Sequence, residues 1–182
     1  MTEEKSKLEE KLMEGLYGKK ELKKSEKDHY LGEYEERVIR YLTYEQVKEP
    51  GTYPEILEAI RHPEASKLII DRKIDLDFAN DYIKLAHKNN LLFKRVNSPD
   101  FKGDIALVVV SDHAVEVDDR KVLSRVKRLK EKGISDKIIQ NPGVKLCRKC
   151  WEELQEKAPE ELQNYDKISL YDKITGIKCI CD

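Results

Sequence analysis

Three short apolar segments, with a helical pattern between the first two, constrain the fold of this 182-residue chain more than any other feature. They are SKLIID (66–71), LLFKRV (91–96) and IALVVV (105–110), and each has the length and borders of a buried strand. Between the first two, apolar residues recur at helical spacing from Phe78 to Ala86. A strand, helix and strand at this spacing predict a parallel pair with a right-handed crossover. Only residues 97–104 connect the second strand to the third, which is short for a parallel crossover. The third strand is therefore expected to run antiparallel or to lie elsewhere in the sheet.

The residues before these segments are more highly charged and carry weaker patterns. Residues 1–27 are mostly Lys and Glu with a thin leucine stripe, which predicts a charged arm that needs a partner surface to become ordered. The stretch YLGEYEERVIRYLT (30–43) has apolar residues at helical spacing and predicts a helix packed through Tyr34, Val38, Tyr41 and Leu42. A second helix is expected to start with Thr52 as its cap and Pro54 in its first turn, and to end at His62.

A basic helix is predicted after Asp118-Asp119, over RKVLSRVKRLKEKG (120–133), with Val122, Val126 and Leu129 facing inward. Gly133 is suited to its C-terminal cap. Cations dominate this stretch and the residues that follow it: Arg120, Lys121, Arg125, Lys127, Arg128, Lys130, Lys132 and Lys137. Glu131 and Asp136 oppose these eight cations, so the local charge is +6. Such a helix either contacts phosphates, which makes binding salt-dependent, or is a solvated face, which is the commoner case.

All four cysteines lie in the last quarter of the chain, as Cys147-x2-Cys150 and Cys179-x-Cys181. A CxxC turn directs two thiolates at one point, and two close pairs predict a tetrahedral four-cysteine zinc site. Four protein ligands leave no open position for substrate water, so the zinc is expected to be structural. The second pair is expected on a hairpin turning at Thr175-Gly176. A redox dithiol, an iron centre and packed thiols remain alternatives.

Candidate catalytic residues are few. Asp71, Asn97, Asp112 and His113 follow predicted strands, at the kind of sheet edge where α/β proteins bind ligands. Catalysis would require Asp71, Asp112 and His113 to converge on a pocket. Asp112 and His113 are neighbours on an extended chain, so their side chains are expected to point apart. The chain contains neither a glycine-rich phosphate loop nor a GxSxG sequence.

The charge balance and hydropathy narrow the class of protein. The net charge is −1, which by itself indicates neither a nucleic-acid binder nor a polyanion. The longest apolar stretch is one strand long, and MTEEKSKLEEKL lacks the apolar region of a secretory signal. We therefore expect a cytoplasmic protein with no membrane segment, in a compartment where paired cysteines more often hold metal than form disulfides.

The order of these segments resembles the YueI family of bacterial proteins over roughly Leu12 to Asp118. The resemblance rests on GLYGKKELKKSEK, YLGEYEERVIRYLT, the three apolar segments and DHAVE, including the Leu31-Gly32 step and Glu36-Arg37-Val38. It implies a three-layer α/β sandwich similar to the ribosomal kink-turn-binding proteins, with no catalytic motif. The cysteine tail looks like an extension to this core. The fold suggests RNA, although the Asn-Glu helix start with which kink-turn binders grip RNA has no good match here.

Together these observations predict a three-layer α/β domain with a small mixed sheet and an appended zinc module. The expected divisions are an arm (1–27), the YueI-like domain (28–118), the basic helix and connector (119–141) and the four-cysteine module (142–182). The predicted function is binding or regulation through a protein or RNA partner, with a structural zinc bound by Cys147, Cys150, Cys179 and Cys181. RNA binding through the basic helix and a small hydrolase or transferase activity are the alternatives. The oligomeric state stays open.

Overall fold

A four-stranded mixed sheet forms the centre of the structure, a computed structural model that describes residues 24–181. The strands are β1 (Val38–Thr43), β2 (Lys67–Asp71), β3 (Leu92–Val96) and β4 (Ile105–Val110), in the order β1-β4-β2-β3. Strands β2 and β3 are parallel, and β4 is antiparallel to both of its neighbours. The three strands predicted from the apolar segments, their parallel pair and the reversed third strand are confirmed.

Short helices surround the sheet and build the C-terminal part of the chain. Residues 24–29 are helical (α1). The others are α2 (Tyr44–Lys48), α3 (Pro54–Ile60), α4 (Leu76–Lys88), α5 (Arg125–Glu131), α6 (Asp136–Ile139), α7 (Arg148–Lys157) and α8 (Leu170–Ile174). Two 3-10 helices, η1 (Glu35–Arg37) and η2 (Pro159–Asn164), and a parallel pair, β5 (Lys145–Leu146) with β6 (Asp166–Lys167), complete the described elements. The leucine stripe predicted for the arm lies outside the described residues.

Both faces of the central sheet are covered. Helices α2, α3 and α4 contact one face, where Leu68, Ile70 and Leu107 are fully buried. Tyr30, directly after α1, and Phe101 pack on the other face. The predicted three-layer α/β fold is confirmed, and one detail of its packing is wrong. Phe78, which begins the apolar pattern of α4, is not buried with the other residues of that pattern, because its side chain is 38% exposed.

The helix predicted for residues 30–43 is wrong. Only η1 is helical there, and the chain then continues as β1, which pairs with β4 from Val38 opposite Val110 to Thr43 opposite Ile105. Val, Ile, Tyr and Thr are residues that favour strands, and pairing with the fully buried β4 determines the outcome. Helix α2 begins directly afterwards through a capping box between Thr43 and Gln46.

Two later helices, α3 and α5, differ from prediction at their starts. Helix α3 has Pro54 in its first turn as expected, but its N-cap is Tyr53 rather than Thr52. Helix α5 starts only at Arg125, where the Ser124 hydroxyl accepts a hydrogen bond from Lys127 N–H. Val122 is buried as predicted, but it lies ahead of the helix and packs in the core of the sheet domain. Gly133 follows the end of α5 with φ +70°, which confirms its capping position.

A second hydrophobic core lies in the C-terminal part of the chain. Leu129 of α5 and Ile139 of α6 pack in it with Leu146, Leu154 and Tyr165. The basic helix and connector therefore share a core with the cysteine-containing residues. The predicted hairpin around Thr175-Gly176 is wrong, because residues 170–174 form the single-turn helix α8.

Candidate metal centre

The four cysteine sulfurs meet at one end of α7. Cys147 is the N-cap of this helix and Cys150 lies in its first turn, so the helix start fixes the first pair. Cys179 and Cys181 follow α8 and approach the same end. The four Sγ atoms all lie within 4.8 Å of one another, and those of Cys147 and Cys181 are 3.6 Å apart. Among the described residues, this is the group of Cys, His and carboxylate side chains that can hold a metal ion.

Backbone hydrogen bonds hold this arrangement. The Cys147 N–H donates to Cys179 Sγ at 3.2 Å, so the first pair directly positions a member of the second. The Trp151 N–H donates to the Cys147 carbonyl at 2.9 Å and closes the first turn of α7. Cys150 and Cys179 are buried, whereas Cys181 is exposed. One side of the centre therefore faces the second core and the other faces solvent.

Burial and hydrogen bonds among the four thiols shift the pKa values of three of them. Burial, followed by hydrogen bonds to the other three thiols, raises the pKa of Cys150. Burial also opposes ionisation of Cys179, but hydrogen bonds donated by Cys147 and Cys181 outweigh it and lower the pKa of Cys179 to about 7. The hydrogen bond to Cys179 is the main cause that raises the pKa of Cys181 to about 11. Full deprotonation of all four thiols therefore calls for a bound cation.

The donor set suits a tetrahedral thiolate-bound ion. Zinc–sulfur bonds of about 2.3 Å imply sulfur–sulfur separations near 3.8 Å in a tetrahedron. The observed 3.6 Å contact matches that value, and a small contraction brings the wider pairs to it. Of the cations close in sequence to the cysteines, Lys145 is paired with Asp172 and Arg148 with Glu152, while Lys149 and Lys178 are exposed.

The strand-end residues predicted as a catalytic cluster do not converge. Strands β2 and β4 are antiparallel, so Asp71 lies at the opposite edge of the sheet from Asp112 and His113. Asp71 is fully buried and accepts hydrogen bonds from the Tyr44 hydroxyl at 2.5 Å and from Lys73 N–H at 2.8 Å, which is a structural role. Asn97 follows β3 at the Asp71 edge.

Asp112 and His113 do contact each other, contrary to the expectation from an extended chain. Asp112 Oδ1 lies 2.6 Å from His113 Nδ1, because the chain leaves the strand at Val110 and turns. Both side chains are mostly exposed. A cleft of about 690 Å³ between α3 and η2 is lined by Glu55, Arg128 and neighbouring residues, and none of the predicted catalytic residues lines it.

The cations of the basic run do not form the single exposed stripe that RNA binding through this helix would require. Arg125 is fully buried and its Nε donates to Glu161 Oε2 at 2.7 Å. Arg128 is largely buried against Glu55 and Glu161. Arg120 donates to three backbone carbonyls of the sheet domain. The remaining lysines of the run are exposed, but the arginines do not join them in one surface.

The buried group around Arg125 is the feature that the sequence analysis missed. Arg125 Nη1 donates to the Pro50 carbonyl at 2.7 Å, and Nη2 donates to the Tyr165 hydroxyl at 3.2 Å. Asn164 donates to Glu161 and to the Thr52 carbonyl, and the Thr52 hydroxyl donates back to Asn164 Oδ1. A signal was present, because Arg125 lies three residues after Val122 and four before Leu129, on the apolar side of the pattern.

Comparisons with known proteins concern the sheet domain. A family model described as "Protein of unknown function (DUF1694)" matches residues 5–121. "Uncharacterized protein YueI" of Bacillus subtilis (strain 168) is 30% identical over 104 residues, which is 57% of this chain and 79% of that protein. The crystal structure of the YueI protein from Bacillus subtilis superposes with a TM-score of 0.54 at 25% identity, over 57% of this chain and 80% of that one. The family match ends before the first cysteine. Among the described helices, none has the length and hydrophobicity to cross a membrane.

Proposed function

We propose that this chain, which belongs to the YueI family (DUF1694), is a binding or regulatory protein with a structural zinc ion. Cys147, Cys150, Cys179 and Cys181 would hold the zinc. The family core supplies the sheet domain, and the metal would stabilise the C-terminal segment, by which we mean residues 142–181.

One observation carries the proposal: four sulfurs from two separate parts of the chain lie within 4.8 Å of one another. Cysteines that served only as small apolar side chains would not be expected to gather four sulfurs at one helix start. Here a backbone N–H also donates to one of the sulfurs, which fixes its position. Four soft sulfur donors favour zinc over magnesium or calcium, which prefer oxygen ligands. Iron accepts the same ligands and is the competing ion.

Zinc would contribute chiefly to folding. The regular elements of the C-terminal segment are short, and its two strands are two residues long. Such a short segment gains little from its own core, whereas a structural zinc contributes about 10–16 kcal/mol of binding free energy to folding. Four protein ligands leave no position for a substrate, so metal catalysis is not part of the proposal. A thiolate centre persists where thiols stay reduced, and the proposal accordingly places the protein in the cytoplasm.

Elemental analysis of the purified full chain tests the proposal. We expect about one zinc per chain in protein never exposed to a chelator, and little zinc after Cys150→Ser. Gln155→Ser, which changes an exposed residue of α7 without removing a sulfur, is the matched control and should retain zinc. Protein that contains no metal and binds none after reduction would disprove the proposal. Iron with visible charge-transfer absorption would keep the ligands and replace the ion.

A further inference from the structure

An apolar surface lies beside the metal centre, on α8 and the turn after it. Leu170, Tyr171 and Ile174 are 79%, 73% and 83% exposed, and Ile177 is 42% exposed. Leu170, Tyr171 and Ile174 lie on α8, and Ile177 follows the turn that ends this helix. We call these four residues the α8 patch. Single exposed apolar residues are common on proteins, but a contiguous group of large ones marks an interaction surface.

Helix α8 is held in place although it has only five residues. At its start, Ser169 and Asp172 form a capping box, in which Asp172 Oδ2 accepts from Ser169 N–H at 2.8 Å. At its end, Ile177 N–H donates to the Asp172 carbonyl and Gly176 N–H to the Lys173 carbonyl, with Gly176 at φ +80°. This pair of bonds is a Schellman motif. A helix of this length has negligible stability alone, so its shape is imposed by these contacts.

The helix is also tied to the rest of the C-terminal segment. Asp172 is buried, and its Oδ1 lies 2.5 Å from Lys145 Nζ on β5. Cys179, which follows the patch by two residues, joins the metal centre and is buried. The α8 patch is therefore presented to solvent by a fixed support. The four apolar side chains are exposed because Asp172, on the opposite side of α8, anchors the helix to Lys145.

The exposed charges carried by the patch segment itself, residues 170–178, are of one sign. Between Leu170 and Lys178, the exposed charged side chains are Lys173 and Lys178. The carboxylate in this range, Asp172, is buried and neutralised by Lys145. An apolar surface with a cationic border complements an apolar surface with an acidic border.

We propose that the α8 patch docks an acidic amphipathic helix of a partner protein. Such a helix presents apolar residues at i, i+3, i+4 and i+7 with carboxylates beside them, so that its apolar face covers the exposed side chains of the patch while its carboxylates face the two lysines. A second copy related by two-fold symmetry would set Lys173 and Lys178 against the same lysines, which disfavours self-association through this surface. Single-stranded nucleic acid requires aromatic rings for stacking, and in the patch Tyr171 alone provides one. This inference specifies the partner of the proposed binding protein and rests on the ordered C-terminal segment.

Two labelled peptides test it by fluorescence anisotropy with the full, metal-containing chain. One is an amphipathic helix of about five turns with leucines at the stated spacing and Glu elsewhere, and the other has Lys in place of each Glu. We expect the Glu peptide to bind about tenfold or more tightly than the Lys peptide, and to weaken at high ionic strength. The double variant Leu170→Ser/Ile174→Ser should lose about tenfold or more in affinity. Leu123→Ser, which changes a residue 72% exposed outside the patch, is the control and should bind as the parent does.

Charge reversal and metal analysis complete the test. Lys173→Glu/Lys178→Glu should reverse the preference between the peptides. Zinc content is measured for every variant, so that loss of metal, which contradicts the proposed function, is distinguished from loss of binding alone, which contradicts this inference. The inference is overturned if the metal-containing parent does not bind the Glu peptide, or if Leu170→Ser/Ile174→Ser binds it unchanged. It is equally overturned if the patch instead mediates dimerisation in sedimentation or binds single-stranded RNA.

Discussion

The Arg125 guanidinium and the Glu161 carboxylate form an ion pair at 2.7 Å, and neither side chain has any exposed surface. The pair joins helix α5 to the 3-10 helix η2, while a further Arg125 nitrogen reaches the Pro50 carbonyl next to the sheet domain. Buried charges are costly to desolvate, so the remaining hydrogen-bonding groups must also be satisfied. Asn164 and Tyr165 supply those bonds, which makes this group a specific connection between the two cores.

Removing one charge of this pair should destabilise the protein strongly. Arg125→Met leaves the Glu161 carboxylate buried, with Arg128 as its one remaining cation among residues 24–181. We expect a loss of about 3–5 kcal/mol in the free energy of unfolding, measured by urea denaturation. Lys127→Met, two residues along the same helix and exposed, is the matched control and should change stability by about 0.5 kcal/mol or less. Equal effects of the two substitutions would contradict the structural role of Arg125.

Metal removal should loosen the C-terminal segment before the sheet. With a strong chelator, or in Cys179→Ser, we expect faster hydrogen exchange in α7 and in β5 and β6, because zinc binding is coupled to folding. Exchange in β2 and β4 should stay slow, because these strands lie in the separate core of the sheet domain. The proposed division at residues 28–118, 119–141 and 142–182 predicts this contrast. A uniform rise across β4 and α7 would show one cooperative unit instead.

The His113 ring should titrate above its usual pKa. Its Nδ1 faces Asp112 at 2.6 Å and its Nε2 faces Glu64 at 3.5 Å, with the Ser111 hydroxyl also within 3.2 Å of Nδ1. The hydrogen bond to Asp112 is the main cause that raises the pKa of His113 above 6.5, and the same bond lowers the pKa of Asp112 below 3.8. The stabilisation from protonated His113 is complete below pH 6.5 and is lost as the pH rises through its raised pKa. The contribution of ionised Asp112 is present above pH 3.8 and is lost as the pH falls through its lowered pKa.

Proton NMR of the imidazole ring measures this shift directly. Asp112→Asn should move the His113 titration midpoint down towards 6.5, because it removes the nearer carboxylate. Asp119→Asn, which removes a carboxylate that is not a partner of His113, serves as the control. A midpoint that is the same in all three proteins would show that the contact between Asp112 and His113 does not persist in solution.

The parts of the fold that could be predicted are those determined by local sequence. The segments at β2 and β4 are apolar and bounded by charge, and β4 is buried along its whole length. The spacing Cys147-x2-Cys150 likewise predicted a turn that brings these two sulfurs together, because the two residues are close in sequence. In each case, residues close in sequence carry the signal.

The features that sequence reasoning missed depend on distant partners. Strand β1 carries apolar residues whose spacing also suits a helix, and only its pairing with β4 identifies it as a strand. Arg125 was read as an exposed cation because its partner Glu161 is 36 residues away. Helix α8 is the exception, because the capping box between Ser169 and Asp172 was a local signal for it, and Lys145, 27 residues away, holds Asp172 in addition.

Gly103 should be required for the contact between α1 and the sheet domain. It has φ +95°, which disfavours any residue with a side chain, and a Cβ atom there would lie 2.6 Å from His29 Nδ1. His29 is the last residue of α1, and it precedes Tyr30, which covers one face of the sheet. Gly143 is the matched control, because it has φ +82° and no atom within 4 Å of the corresponding Cβ position. Both alanine substitutions should cost about 1–2 kcal/mol in backbone strain, measured by thermal or urea unfolding.

Gly103→Ala should cost more than Gly143→Ala, because the His29 ring must also move. His29→Ala introduced into Gly103→Ala should recover that difference, whereas the same change in Gly143→Ala should not improve stability. Residues in contact show such interaction energies in double-mutant cycles, and distant pairs do not. If Gly103→Ala and Gly143→Ala were equally destabilised, and His29→Ala had the same effect on both, the close approach between Gly103 and His29 would not contribute to the position of α1.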